Sequence, residues 1–369
     1  MRGPVVQPIV IAAGGTGGHF FPAEALAGAL MKHGERVVLF TDQRSGGLAS
    51  PVFTACERYV IEGAGLSGRS IFRAAQGGAA MLRGVVRARR LLMALRPKAI
   101  IGFGGYPSVA PIMAARLMAN RPMIFLHEQN AVLGRANRLL ARMADYLALS
   151  FEKTSAVPAS VATTVTGNPV RPMIVELAGK GYPHQGDQIQ LLVLGGSLGA
   201  KIFGTLIPQA LALLSPTMRA RLNIVQQCRE AELDEARAIF AAAGLHATLS
   251  PFFDDVARRL AAAHLIIARA GASSVAEIAT AGRPALFIPL PTAIDDHQRA
   301  NADALVAAGG GWRLDQAGLS AETLARQIEI CLSDPEDLVQ RAQAAQRFGR
   351  PDATEKLAAL VQTSLVKSR

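Results

Sequence analysis

The chain has 369 residues, 50% of them hydrophobic and 18% charged, which is too long for one ordinary core and excludes a largely disordered protein. Its three cysteines, Cys56, Cys228 and Cys331, lie far apart without metal-ligand spacing; this sets aside a disulfide scaffold or zinc module and points to a reducing compartment. The formal net charge of +11 calls for an anionic partner: nucleic acid, a membrane surface or phosphorylated substrates.

The apolar run after Arg2 is short and breaks at Gly14, so it reads as a first strand, Pro8–Ala13, rather than a signal peptide. No uninterrupted apolar stretch approaches the ~20 residues that span a bilayer, and a cytoplasmic protein is expected. Gly14-Gly15-Thr16-Gly17-Gly18-His19 follows, then a helix from about Pro22 to His33, a stop at Gly34 and a strand at Arg36–Phe40. This strand–glycine loop–helix–strand unit lacks the third glycine of the dinucleotide fingerprint. Asp42 nevertheless sits where a nicotinamide enzyme holds its ribose, which keeps an oxidoreductase as a minor alternative.

Between Glu62 and Glu128 there is no acidic residue, while Arg69, Arg73, Arg83, Arg87, Arg89, Arg90, Arg96 and Lys98 alternate with Ile71, Phe72, Met81, Leu82, Val85 and Val86. The stretch reads either as a helix with an apolar core face and a solvated basic face, or as a contact for an anionic lipid surface through residues such as Ile71, Phe72, Arg73, Arg83 and Arg87. Ala99–Phe103 is a strand leading into Gly104-Gly105-Tyr106-Pro107-Ser108. Met123–Leu126 is another, ending in His127-Glu128-Gln129-Asn130, with a helix from about Gly134 to Met143 and a strand at Tyr146–Leu149.

Thr166 to Pro172, followed by a polar stretch to Gln190, reads as an interdomain linker. The pattern then restarts: strand Leu191–Leu194, loop Gly195-Gly196-Ser197-Leu198-Gly199-Ala200, helix Ile202–Leu214, and strands near Ile224–Gln226 and Thr248–Ser250. Leu265–Ala268 is a buried strand, Gly271 a tight turn, and Ser273 or Ser274 the N-cap of a short helix stopped by Gly282 and Pro284. A helix opening at the end of a parallel strand suits a phosphate. Glu277 has two readings: the partner of Ser274 in a capping box, or a carboxylate for the hydroxyls of a ribose. The expected fold is α/β: two Rossmann-like doubly wound domains, 1–168 and 169–349, facing a cleft, with a last helix, about Ala353–Val366, returning to the first.

Taken in order, the glycine loops at 14, 104 and 195, His127-Glu128-Gln129-Asn130, Gly167-Asn168-Pro169-Val170-Arg171 and Arg269–Glu277 closely resemble the family of peptidoglycan lipid-intermediate N-acetylglucosaminyltransferases (MurG). The resemblance covers nearly the whole chain. It implies a glycosyltransferase B fold and inverting transfer of N-acetylglucosamine from UDP-GlcNAc to the 4-hydroxyl of the muramyl sugar on undecaprenyl diphosphate (lipid I), giving lipid II. It also implies an acceptor and membrane domain first, a donor domain second, and a peripheral position on the cytoplasmic face of the inner membrane. Its implied partners are UDP-GlcNAc as substrate, lipid I, an anionic membrane surface and other cell-wall synthesis proteins, with no nucleic acid.

Inverting transfer requires a base for the acceptor hydroxyl and a means of absorbing charge on the leaving diphosphate. No Asp-x-Asp is present, and Asp254-Asp255 and Asp295-Asp296 read as caps or turns, so no obligatory metal or other cofactor is expected. His19, at a helix N-terminus, is a base or a loop-ordering diphosphate contact; Glu128 is the rival base or a loop holder. By resemblance, Glu277 binds the ribose, Phe253 holds uracil through main-chain groups, and Gln298 contacts the donor sugar with Asn301 in the same tail. The donor set also includes Thr16, Gly17, Gly18, Asn130, Arg171, Ser197 and the helix start Ala272, Ser273, Ser274, Val275, Ala276. Tyr106 would touch the acceptor. The family pattern has asparagine where this chain has Gly204. The competing readings are another nucleotide-sugar glycolipid glycosyltransferase of the same fold and, from a different class, a non-catalytic nucleic-acid-binding protein. The latter fits poorly with aromatics at 5%.

Overall fold

The computed structural model describes residues 6–14, 17–43, 50–61, 71–184, 186–196 and 199–367, with the backbone alone for 71–76. The chain divides into two compact units, Met1–Arg171 with Asp352–Arg369, and Pro172–Pro351.

Among the described residues the first unit holds a seven-stranded parallel sheet: β1 (Ile9–Ala12), β2 (Val37–Thr41), β3 (Glu57–Val60), β4 (Ala99–Gly102), β5 (Met123–Glu128), β6 (Tyr146–Leu149) and β7 (Ala162–Val165). Their order is β3-β2-β1-β4-β5-β6-β7, with β1 flanked in register by Val37–Phe40 and Ala99–Gly102. β1 and β4 are buried along their whole lengths, as strands covered by helices on both faces must be. β3 and β7, at the edges, are partly or wholly exposed.

Several boundaries differ from the sequence expectation. The first helix runs Gly17–Lys32 and so begins five residues before Pro22. The proline's φ suits a helix and its ring removes one backbone bond; in exchange Phe20 is buried edge-on against Phe53, with ring centroids 5.1 Å apart. His19 therefore lies in the first turn. The helix expected near 134–143 is Arg135–Leu140 followed by a 3₁₀ turn, Ala141–Met143. The basic stretch is a helix, Ile71–Leu95, that buries Val85, Ala88 and Leu92 at helical spacing and leaves Leu82, Val86 and Met93 exposed.

The last helix, Ala353–Lys367, packs on Gly17–Lys32 and completes the layer beneath the first sheet. Leu357, Ala358 and Val361 join a core with Ile9, Ile11, Leu26 and Leu30, and Glu355 lies 3.4 Å from His33.

The second unit repeats the design among its described residues. Its six parallel strands are β8 (Ile189–Leu194), β9 (Leu222–Gln227), β10 (Ala247–Ser250), β11 (Leu265–Ala268), β12 (Ala285–Phe287) and β13 (Gly311–Arg313), ordered β10-β9-β8-β11-β12-β13. Order reverses between β8 and β11, as it does between β1 and β4, and ligands of such sheets bind outside the strand carboxyl ends at that point. The helix after β11 stops at Gly282, whose φ of +63° is the left-handed geometry a C′ glycine supplies.

The return helix is integral to the first core. Truncating fully buried Leu357 to alanine should lower unfolding free energy by about 2–5 kcal/mol, whereas exposed Leu82→Ala should change it by less than about 0.5 kcal/mol. Urea denaturation of the two variants measures this difference; equal midpoints would refute the packing role.

Candidate active site

In the first unit, chemistry-bearing residues gather where β1, β4 and β5 end. Residues 15 and 16 lie outside the described residues, so the expected Thr16 contact has no position here. Gly17 is buried at the helix start, where a Cβ would come within 2.8 Å of the Phe21 ring, and Gly18 beside it is exposed. His19 is half-buried in this first turn, next to the positive end of a 16-residue helix. The imidazole lies against the loop after β4. A Cβ on Gly104 or Gly105 would stand 3.5 Å from its ring, and both glycines have positive φ, +83° and +67°. Ser108 secures that loop, its Oγ lying 2.9 Å from the carbonyls of both Ala12 and Gly104.

His19 Nδ1 is 2.9 Å from Gln129 Oε1. Gln129 Nε2 donates to the Phe103 carbonyl at 3.0 Å and lies 3.0 Å from His127 Nδ1, while His127 Nε2 is 3.1 Å from the Gly167 carbonyl. His127 is fully buried, and desolvation pushes its pKa down to about 4 despite the Gly167 bond.

Glu128 occupies a different environment. Its carboxylate is buried, with one oxygen accepting from Asn130 N (2.9 Å) and Asn130 Nδ2 (3.1 Å) and the other from Gly134 N and Asn137 Nδ2 (both 2.9 Å). Four N–H donors around two oxygens hold the 130–137 loop and the start of the following helix. Asn130 is half-buried beside it. Tyr106 is 44% exposed at the first position of the helix Tyr106–Arg116. Arg171 is half-buried in the first unit, its guanidinium 5.6 Å from the Phe21 ring centre.

In the second unit the helix after β11 is Ala272–Thr280, with Gly271, not Ser273 or Ser274, at its N-cap and no side-chain cap. Both serines are inside the first turn because the backbone of Gly271 is already extended and turns directly into the helix. A Ser274–Glu277 capping box is ruled out by this register, since Glu277 is a further turn along. Ala272 and Val275 are buried, while Ser273, Ser274, Ala276 and Glu277 are half-buried on the outer side. The chain is positioned by buried polar groups. Asn301, fully buried, donates to the Ala270 carbonyl at 3.1 Å, and Gln298 accepts from Leu290 N at 3.0 Å.

Ser197 is outside the described residues; at the end of β8, Gly195 N donates to Gln227 Oε1, and Gln227 Nε2 to the Pro251 carbonyl, both at 3.1 Å. Phe253 is buried beneath Arg259, 4.1 Å from its ring centre, and Arg259 pairs with Asp255. Asp295 and Asp296 are turn residues with φ of +52°, and Asp296 pairs with Arg299 at 2.8 Å. Gly204 faces Glu232: a Cβ at residue 204 would come within 2.5 Å of the Glu232 Cβ.

Three buried residues, His127, Gln129 and Arg269, are absent from the site expected from the sequence. Gln129 and His127 lie in the quoted His-Glu-Gln-Asn run, where consecutive polar residues at the end of a buried strand signal a hydrogen-bonded network. Arg269, a lone charge after an apolar run, donates to the carbonyls of Ile288 and Pro289 and to Gln316, and lies over the Phe203 ring. Burial lowers its pKa to about 10.

The His127 geometry has a consequence for acid stability. With a folded pKa of about 4 against an ordinary 6.5, the unfolded chain takes up the proton first as pH falls. This contribution is fully present above pH 6.5 and is lost progressively down to about pH 4, a total of about 3 kcal/mol. Unfolding free energies measured across that range should fall more steeply for the wild type than for His127→Gln; parallel slopes would refute the assignment.

Residues 9–149 match the glycosyltransferase family 28 N-terminal domain and residues 190–357 its C-terminal domain. The chain is 54% identical over 370 residues to the UDP-N-acetylglucosamine–N-acetylmuramyl-(pentapeptide) pyrophosphoryl-undecaprenol N-acetylglucosamine transferase of Granulibacter bethesdensis, covering 100% of this chain and 96% of that one. It is 53% identical to the Acidiphilium cryptum transferase of the same name, over 100% and 99% of the two chains. The crystal structure of Acinetobacter baumannii MurG superposes with a TM-score of 0.79 at 33% identity, over 96% of this chain and 99% of that one. The two order-reversing parallel sheets, the glycine loops at their reversal points and these full-length likenesses place the chain in the glycosyltransferase B fold; it belongs to glycosyltransferase family 28, among the MurG N-acetylglucosamine transferases.

Proposed function

We propose that the chain carries out its family's reaction through two sets of residues: a base and acceptor contacts in the first unit, and donor contacts in the second. N-acetylglucosamine passes from UDP-GlcNAc to the 4-hydroxyl of the muramyl sugar of lipid I, forming lipid II with inversion. The observation that carries this reading is the likeness to relatives so named along the whole chain, through both units.

His19 is the base. Its Nδ1 is held by Gln129, and its Nε2 makes no hydrogen bond among the described residues. As the acceptor oxygen attacks the anomeric carbon from the face opposite the diphosphate, Nε2 takes the hydroxyl proton. Glu128, whose carboxylate already accepts four N–H donors, holds the loop that presents Asn130 to a sugar hydroxyl. Tyr106, exposed beside the Gly104–Gly105 loop, meets the acceptor.

In the second unit, the N-terminus of Ala272–Thr280, with Ser273 and Ser274, takes up negative charge on the departing diphosphate; Ser197 is proposed for the same role. In the first unit, Arg171, Gly17 and Gly18 are the further residues proposed to contact the donor. Glu277 accepts the ribose hydroxyls, the Phe253 main chain holds uracil, and Gln298 contacts the donor sugar. Buried Asn301 supports the loop through Ala270.

The exposed stripe Leu82, Arg83, Val86, Arg87 and Arg90 lines a shallow concavity of about 570 Å³. Apolar side chains with arginine heads suit the apolar–polar boundary of an anionic bilayer, on which a polyprenyl acceptor resides. The side chains of Ile71, Phe72 and Arg73, expected in the same contact, lie outside the described residues. No helix among the described residues is long and apolar enough to cross a membrane, so the proposed attachment is peripheral.

Transfer of labelled N-acetylglucosamine from UDP-GlcNAc to a short-chain lipid I analogue tests the assignment. His19→Ala should lower kcat by about 10²–10⁴-fold. Glu277→Ala should raise the donor KM by about 10- to 100-fold, the loss of a charge-assisted hydrogen-bond pair. No transfer by folded wild type would reassign the acceptor to another glycolipid, and full turnover by His19→Ala would remove its role as base. Replacing Arg83 and Arg87 with glutamate should release the protein from anionic vesicles while transfer to a water-soluble acceptor persists; undiminished vesicle binding would refute the membrane contact.

A further inference from the structure

Gln129 joins His19 to His127, and the two ends of this chain of groups are backbone carbonyls that can only accept. Phe103 O, 3.0 Å from one Gln129 amide atom, requires that atom to be the nitrogen. The same NH₂ faces His127 Nδ1 at 3.0 Å, so Nδ1 must carry a lone pair. The proton of neutral His127 is then on Nε2, where the Gly167 carbonyl accepts it at 3.1 Å. The remaining Gln129 atom is Oε1, an acceptor, and it lies 2.9 Å from His19 Nδ1. His19 must donate from Nδ1, leaving its Nε2 as the basic atom.

We propose that Gln129, oriented by Phe103 and His127, is a positioning residue that holds His19 in the Nδ1–H tautomer with its Nε2 lone pair directed outward for the acceptor proton. The consequence for catalysis rests on His19 being the base; the tautomer does not. Each connection is stereochemically one-way. Turning the Gln129 amide over would set its oxygen against the Phe103 carbonyl and the His127 lone pair, and its NH₂ against His19 Nδ1. Protonating His127 would set two donors against each other, so burial and the facing amide both keep it neutral. Gln129 is 2% exposed and His127 0%, which removes water as a substitute partner. The Gly104–Gly105 loop lies beside the ring, where a Cβ on either glycine would stand 3.5 Å from it, and the Gln129 bond sets the ring's rotation. Among the described residues no carboxylate pairs with His19. A neutral amide thus fixes the tautomer without adding a negative charge near a reaction that expels a diphosphate.

Nitrogen-15 spectra of the full-length protein labelled at histidine read the tautomer directly, with the His19 signals assigned by their loss in His19→Ala. The expected result is a single Nδ1–H tautomer for His19 and an Nε2–H tautomer for His127. In Gln129→Met, similar in volume but without hydrogen-bonding groups, His19 should shift toward the Nε2–H form. In the transfer assay this variant should lose about 10- to 100-fold in kcat with the UDP-GlcNAc KM within about twofold of wild type. An Nε2–H His19 in the wild type, an unchanged tautomer in Gln129→Met, or unchanged kcat in that variant would each overturn the proposal. If Gln129→Met does not fold, the wild-type spectrum alone decides. Turnover by His19→Ala would remove the base reading while leaving the tautomer assignment to the spectra.

Discussion

At the point where strand order reverses in a parallel sheet, the loops leaving two neighbouring strands run to opposite faces, and the gap between them must be lined by something other than the sheet itself. Both units depend on this constraint. In the first, β1 and β4 part company and the gap holds Gly17, His19 and the Gly104–Gly105 turn, with Ser108 bridging the two strand ends. In the second, β8 and β11 diverge, and Gly195 and Gly271 open the corresponding loops. Glycine serves the two places differently: at 104 and 105 it supplies positive φ and lets backbone approach an imidazole, whereas at 271 it is an extended N-cap that lets a helix begin at once.

Polar burial then turns these openings into defined surfaces. A carboxylate out of water is costly unless its lone pairs are occupied, and Glu128 meets that condition with four N–H groups drawn from a single loop and helix start. Arg269 meets it without any acid, through carbonyls, an amide oxygen and the face of Phe203. Such groups rigidify the loops that leave the strands, so that residues of modest burial, His19 and Glu277 among them, stand on fixed supports.

The doubly wound architecture was legible because its strands are short, apolar and punctuated by glycine, and β11 and β6 run over the residues the pattern predicts. Helix starts were less legible. Pro22 suggested a start at the first position, but the packing of Phe20 extends the helix back to Gly17. Ser273 and Ser274 suggested caps, whereas Gly271 turns directly into the helix. Within the site, the His-Glu-Gln-Asn run drew attention to Glu128 and Asn130, while Gln129 and His127 stayed unassigned. Their roles depend on Phe103 and Gly167, carbonyls distant in sequence that only the sheet brings together.

Residue 204 carries a different kind of information. Its missing Cβ is matched by the stem of Glu232, which lies over it and reaches toward Arg229 at 3.3 Å. The two positions are therefore steric complements: a larger residue at 204 requires a shorter or displaced one at 232. A substitution at either position therefore has to be judged together with the other, a coupling that neither residue reveals alone.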